Sequence, residues 1–270
     1  MDMWIAVVIG IVEGLTEFLP VSSTGHMILA GHLIGFTGDK ADTFEIVIQL
    51  GAILAVAVLY WRRVLRLFGI QDKASRLQPG PKLNLLHILI GILPAGLIGF
   101  ALHKYVKLLF MPETVLIGLV VGGLFMIVAE KQRGTQTAEK MDQITYRQSF
   151  FIGVAQVLSL WPGFSRSGAT IAGGMLAGTS RAAGADFTFL MAIPLMVAAS
   201  AYDFYKSIDS FSSNDIGFFV TGFIVSFIVA LVAVATFIKL VSRLSLTYFS
   251  YYRFILAAVM LVFVLAGKLS

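Results

Sequence analysis

Eight apolar stretches dominate the 270 residues, and two of them are broken midway by proline and a cluster of polar side chains. The unbroken ones cover residues 44–61, 83–102, 115–129, 187–202, 217–240 and 249–265. Helices of this length cross a hydrocarbon core of ~30 Å at ~1.5 Å per residue, so six full crossings are expected. Composition agrees: 58% of residues are apolar and 13% charged, against roughly 25% charged in soluble domains, and mean hydropathy is +0.88. Repeated apolar runs with 26 glycines point to helices and exclude a barrel, whose strands alternate in polarity. The chain reads as an all-α integral membrane protein. No removable signal peptide is expected, since residues 1–4 carry no basic residue and Glu13 and Glu17 interrupt the first run. Without cysteine, disulfides, thiolate nucleophiles and sulfur-ligated metals are excluded. The net charge of +5 reports orientation in such a chain, and no nucleic-acid partner is expected.

The two broken segments, residues 5–35 and 150–178, have arms too short to cross alone. Each is expected to enter and return as a helix-loop-helix, because irregular backbone is tolerated at membrane depth where protein or a watery cavity surrounds it. They align without a gap at an offset of 143 residues, "GIVEGLTEFLPVSSTGHMILAGHLIG" on "GVAQVLSLWPGFSRSGATIAGGMLAG", with eight of 26 positions identical. Gly10 meets Gly153, Ser22 meets Ser165, Gly25 meets Gly168 and Gly35 meets Gly178, while Glu13 faces Gln156. The same offset brings Phe44 onto Phe187. A single register that holds glycines, serines and span starts together indicates an internal repeat. Residues 1–143 and 144–270 are then two halves, each a re-entrant hairpin plus three crossings. Three being odd, the halves are inverted relative to each other. Loops 62–82, 131–147 and 239–243 carry twelve Lys and Arg against five on the opposite side, which places those loops in the cytoplasm and both termini outside.

The polar elbows carry the chemistry. Glu13 and Glu17 are four apart and share a helix face. Two carboxylates that close in an apolar setting call for a metal cation or a shared proton, since Arg166 is one charge against two. Ser22, Ser23 and Thr24 lie where a second helix starts, offering hydroxyls and backbone N–H groups to an anion. His26, three residues after Ser23, can share its side of that helix. The partner elbow, "PGFSRSGAT", adds the hydroxyls of Ser165, Ser167 and Thr170, a close-approach glycine at Gly168, and Arg166, whose fork matches phosphate oxygens. Together these suit a phosphate and a divalent cation. Walker loops, zinc-type His pairs and kinase motifs are absent from the sequence.

At these two motifs the chain resembles the bacterial undecaprenyl pyrophosphate phosphatases of the bacitracin-resistance type. The resemblance extends to "FEIVIQLGAILAV" and "TYRQSF" and covers nearly all of the chain. It implies a hydrolase of the bacterial inner membrane that converts undecaprenyl pyrophosphate to undecaprenyl phosphate and inorganic phosphate, recycling the lipid carrier of peptidoglycan synthesis and conferring bacitracin resistance. It also implies Glu13 and Glu17 as ligands of Mg²⁺ or Ca²⁺, Arg166 as a catalytic cation, and Ser22, Thr24, Ser165, Ser167 and Thr170 as substrate-binding. Ser23 is the preferred nucleophile, with His26 or Glu17 as base, and an activated water is the competing version. The other membrane phosphatase family for this substrate, of the phosphatidic-acid-phosphatase type, needs a His where this chain has Ala172. The expected partners are the polyprenyl pyrophosphate and membrane lipid, with a homodimer left open, and the site is expected to open to the periplasmic face. The alternative reading is a transporter or flippase of a phosphorylated lipid, because inverted repeats with broken helices also build carriers.

Overall fold

A computed structural model describes residues 2–70, 83–207 and 215–269. Half of the basic residues counted in the 62–82 loop, Lys73, Arg76 and Lys82, lie outside the described residues. The described chain is helical, with one isolated bridge between Ala138 and Thr179 and no strand. Its main helices are α1 (Met3–Thr16), α2 (Ser23–Leu33), α3 (Asp39–Leu59), α4 (Leu85–Ala101), α5 (Pro112–Lys131), α6 (Tyr146–Val157), α7 (Arg166–Leu176), α8 (Arg181–Ser207), α9 (Ile216–Leu240) and α10 (Leu246–Leu265). Short helices Trp61–Leu67 and His103–Lys107 follow α3 and α4.

Among these, α3, α5, α8, α9 and α10 are long and apolar enough to cross a membrane. The sixth expected crossing, α4, is shorter at 17 residues, or about 26 Å at 1.5 Å per residue. Five long spans and a short apolar helix therefore stand where six were expected. Inside the bundle, hydroxyls find backbone partners: Ser226 donates to the Ile48 carbonyl at 2.8 Å. Large apolar side chains such as Leu97, Phe100, Ile255 and Val262 face outward, the arrangement a lipid solvent favours.

The broken segments fold alike. Helix α2 has 11 residues and so does α7, about 17 Å each, well short of a bilayer core. Both helices start one residue after a serine held at positive φ, Ser22 at 71° and Ser165 at 73°, the only non-glycine residues in that region among those described. Such a conformation is costly for an L side chain and persists only where its surroundings enforce it. Both helices end before a positive-φ glycine, Gly35 and Gly178. Every one of these pairs is separated by the 143 residues of the sequence alignment.

The two halves are interlocked through matched glycines. A Cβ at Gly10 of α1 would lie 2.9 Å from the Gly222 carbonyl oxygen of α9, and one at the equivalent Gly153 of α6 would lie 2.5 Å from that of Gly91 in α4. Each hairpin is thus packed on a helix of the other half, and α3 also packs on both α8 and α9. Small residues allow this close backbone approach, the main source of helix association in lipid. At one end of the bundle Glu130 is a polar hub, accepting from Arg181 at 2.5 and 2.9 Å, from Arg133 at 2.9 Å and from the Ser245 hydroxyl at 2.9 Å.

Candidate functional site

The first elbow begins where α1 stops. Glu17 caps α1 with helical backbone, its N–H still bonded to the Glu13 carbonyl, so the two carboxylates leave the same end of one helix. A helix C-terminus carries partial negative charge, which aggravates the repulsion and favours a cation beside them. Across the loop, Ser23 opens α2 and its hydroxyl donates to Glu17 Oε2 at 2.5 Å. The other oxygen, Oε1, faces Arg166 Nη2 at 3.4 Å. Glu17 therefore joins a hydroxyl from the first elbow to a guanidinium from the second. The α2 N-terminus receives no side-chain cap from Ser22, whereas that of α7 is capped by Ser165, whose hydroxyl accepts from the Gly168 N–H at 3.2 Å. Thr24 is half-buried in the first turn of α2.

His26 does not join this group. Its Nδ1 lies 2.7 Å from the Ser22 carbonyl and its Nε2 2.7 Å from the Tyr252 hydroxyl. A carbonyl can only accept, so Nδ1 carries the proton, and in the neutral ring Nε2 accepts from Tyr252. The imidazole is thereby turned toward α10 and the strained backbone of Ser22, leaving Glu17 as the base in contact with Ser23.

The hydroxyls of the second elbow form directed chains. Ser167 donates to the Leu19 carbonyl of the first elbow at 2.8 Å, and so accepts from Ser165 at 3.3 Å. Thr188 donates to Thr170 at 2.8 Å, and Thr170 donates to the Arg166 carbonyl at 2.8 Å. Ser167 and Thr170 are both 0% exposed. These side chains hold the elbow and the Arg166 backbone. The Arg166 guanidinium lies over the Phe18 ring at 5.2 Å, and its buried Nη1 has no hydrogen-bond partner, leaving one arm of the fork for a ligand oxygen.

Glu13 is 4% exposed, and the charges of Glu17, Glu45 and Arg166 all act on it. Carboxylate oxygens in this setting fit a hard divalent cation. The described residues contain no cluster of three or more metal-ligating side chains, so Glu13 and Glu17 would need phosphate oxygens or water to complete the coordination, the usual arrangement for Mg²⁺ at phosphates.

Sequence reasoning missed four residues here. Glu45, inside the "FEIVIQLGAILAV" stretch, and Thr188 are separated by the same 143 residues and stand beside Glu13 and Thr170. Tyr252 and Arg253 are neighbours on α10. Arg253 was within reach of sequence reading, because an arginine inside the apolar run "YYRFILAAVML" is a signal by itself. Tyr252 carries no such mark, and its partner is 226 residues away.

Glutamates on one helix end, a serine and an arginine meeting on one carboxylate, and the near-complete span of the motifs can be compared with known families. The sequence model of the bacitracin resistance protein BacA matches residues 6–259, and the chain belongs to that family.

Proposed function

We propose that the protein is a membrane phosphatase that hydrolyses undecaprenyl pyrophosphate to undecaprenyl phosphate and inorganic phosphate, returning the carrier to peptidoglycan synthesis and thereby conferring bacitracin resistance. Family membership supports this reading, and one observation carries it within the site: Ser23 donates to Glu17 at 2.5 Å while Arg166 holds the opposite oxygen. A nucleophile, its base and a group that orients the base are the pattern of an activated hydroxyl.

The pyrophosphate head lies between the α2 N-terminus and Arg166, whose Nη1 holds a non-bridging oxygen. Ser23 Oγ attacks the terminal phosphorus and Glu17 takes its proton. The bond to the bridging oxygen breaks, its electron pair leaves with undecaprenyl phosphate, and the proton follows it from Glu17. Water then attacks the phosphoserine, giving its proton to the same carboxylate, and phosphate departs. A bound Mg²⁺ or Ca²⁺ supplies charge neutralisation on the phosphoryl oxygens. In the competing version Glu17 activates water directly and Ser23 only holds the carboxylate in place. Wild-type protein in detergent is expected to release phosphate from a polyprenyl pyrophosphate in a divalent-cation-dependent manner, and to give phosphoserine at position 23 on rapid quenching. Substantial turnover by Ser23→Ala would sink the serine nucleophile.

The topology that belongs with this function is an inverted repeat of two re-entrant hairpins and six crossings, with α4 as the sixth, both termini outside and the site opening to the periplasmic face. The recurrence of helix starts, strained serines and terminal glycines at 143 residues supports it. A lipid carrier would have to separate the elbows in each cycle, breaking the Ser167 to Leu19 and Arg166 to Glu17 contacts, which favours the enzyme over the flippase. Because the chain has no cysteine, single cysteines labelled from outside at positions 2 and 268 test the termini. Labelling only after the membrane is opened would reverse the orientation.

A further inference from the structure

Arg253 is 0% exposed and, among the described residues, no carboxylate pairs with it. Burying an unpaired guanidinium is expensive, and a well-packed apolar side chain would serve stability at least as well. Its contacts show what the charge is spent on. Nη2 donates to the Gly163 carbonyl at 2.8 Å and to the Gly118 carbonyl at 3.0 Å, joining the second elbow to the middle of α5. The guanidinium occupies a slot that exists because α5 lacks side chains there. A Cβ at Gly122 would lie 2.4 Å from Nη2 and 2.5 Å from the Phe164 carbonyl oxygen, and the Pro162 carbonyl oxygen would be 2.2 Å from a Cβ at Gly118. Gly163 itself has φ +90° and is pressed against Val115, where a Cβ would meet the carbonyl oxygen at 2.1 Å. Residues 162–164 thus lie along the bare face of α5 with Arg253 as the fastening. Arg166 follows three residues later.

We infer that Arg253 is a positioning residue, which fixes the second elbow on α5 and so sets where Arg166 meets Glu17 and the substrate. It touches no substrate, since its guanidinium is enclosed by Gly118, Gly122, Gly163 and Gly168. The inference rests on the phosphatase reading for its kinetic consequence, but the fastening itself can be measured without turnover.

Two measurements on the full-length protein in detergent test it. In the first, phosphate release from a polyprenyl pyrophosphate is compared for wild type, Arg253→Lys, Arg253→Met and Gly118→Ala. Lysine keeps the charge but its ammonium ends short of the Nη2 position, and Gly118→Ala pushes on the same joint without touching the charge. All three are expected to lower kcat at least tenfold with KM within threefold of wild type. An Arg253→Lys kcat within twofold of wild type, or a tenfold rise in KM at unchanged kcat, would overturn the positioning role. Should Arg253→Met fail to fold, the other two variants still decide. In the second, Phe164→Cys is the sole cysteine, and its alkylation by a maleimide is followed. Combining it with Arg253→Lys is expected to speed labelling at least fivefold, and an unchanged rate overturns the fastening. A wild type that released no phosphate would strike the phosphatase reading instead, leaving the labelling result to judge Arg253.

Discussion

Replacing Glu17 with glutamine isolates its chemistry from its shape. The amide oxygen can still accept from Ser23, so the 2.5 Å contact survives in weaker form, but the group can no longer take a proton. Removing a positioned general base lowers rates by about 10²- to 10⁴-fold, or about 3 to 5 kcal/mol of barrier at 1.36 kcal/mol per tenfold. Stability changes through Arg166. Breaking a buried pair costs about 3–5 kcal/mol when the surviving charge is stranded, but the contact is long at 3.4 Å, Glu13 still acts on Arg166, and the guanidinium keeps its place over Phe18. About 1–2 kcal/mol is therefore expected, a fall in melting temperature of a few degrees for a chain this size. Freed from its carboxylate, Arg166 binds phosphate no worse, so KM should stay level or fall. Steady-state phosphate release across a substrate series, with a melting curve on the same sample, separates these effects. A kcat within fivefold of wild type, or a tenfold higher KM with kcat intact, would refute Glu17 as the base and make it a binding group.

Gly153→Ala should destabilise more than Gly10→Ala, because the new Cβ falls 2.5 Å from the facing carbonyl oxygen against 2.9 Å; overpacking of this kind costs about 1–3 kcal/mol, and equal melting temperatures would contradict the interlock. Glu130→Ala removes the acceptor of Arg181, Arg133 and Ser245, so a loss of about 3–5 kcal/mol is expected in melting experiments. The folded fraction should retain wild-type kcat. Tyr252→Phe deletes one neutral hydrogen bond to His26, worth about 0.5–1.5 kcal/mol, and kcat should drop about two- to tenfold if that bond orients the imidazole in turnover; a rate identical to wild type would show that the pair is idle.

Both elbows were legible in the sequence because their polar groups interrupt apolar runs, and the 143-residue register predicted two similarly broken segments, which the paired serines at positive φ and the equal helix lengths repeat in three dimensions. The direction of each side chain was not legible. Spacing placed His26 near Ser23, but a helical side chain also has a carbonyl four residues back, and Nδ1 takes that of Ser22. Ser165, Ser167 and Thr170 looked equally available to a ligand; only the tertiary fold supplies Leu19 and Thr188 as their partners. Span limits moved by a few residues, as with 187–202 becoming Arg181–Ser207, because polar first turns still belong to the helix. Tyr252 and Arg253 act across 90 to 226 residues of chain, a separation for which one sequence holds no signal.

The glycine interlock also imposes an order of assembly. Gly91 is synthesised before Gly153, so the second hairpin emerges with its docking helix already in the membrane. The first hairpin has no such luck: Gly222 follows Gly10 by 212 residues, about 10–40 s of synthesis at roughly 5–20 residues per second. For that interval the segment bearing Glu13 and Glu17 lacks the surface it will finally rest on. The insertion machinery, or a temporary neighbour within the nascent chain, must shelter two carboxylates until the ribosome has passed α9.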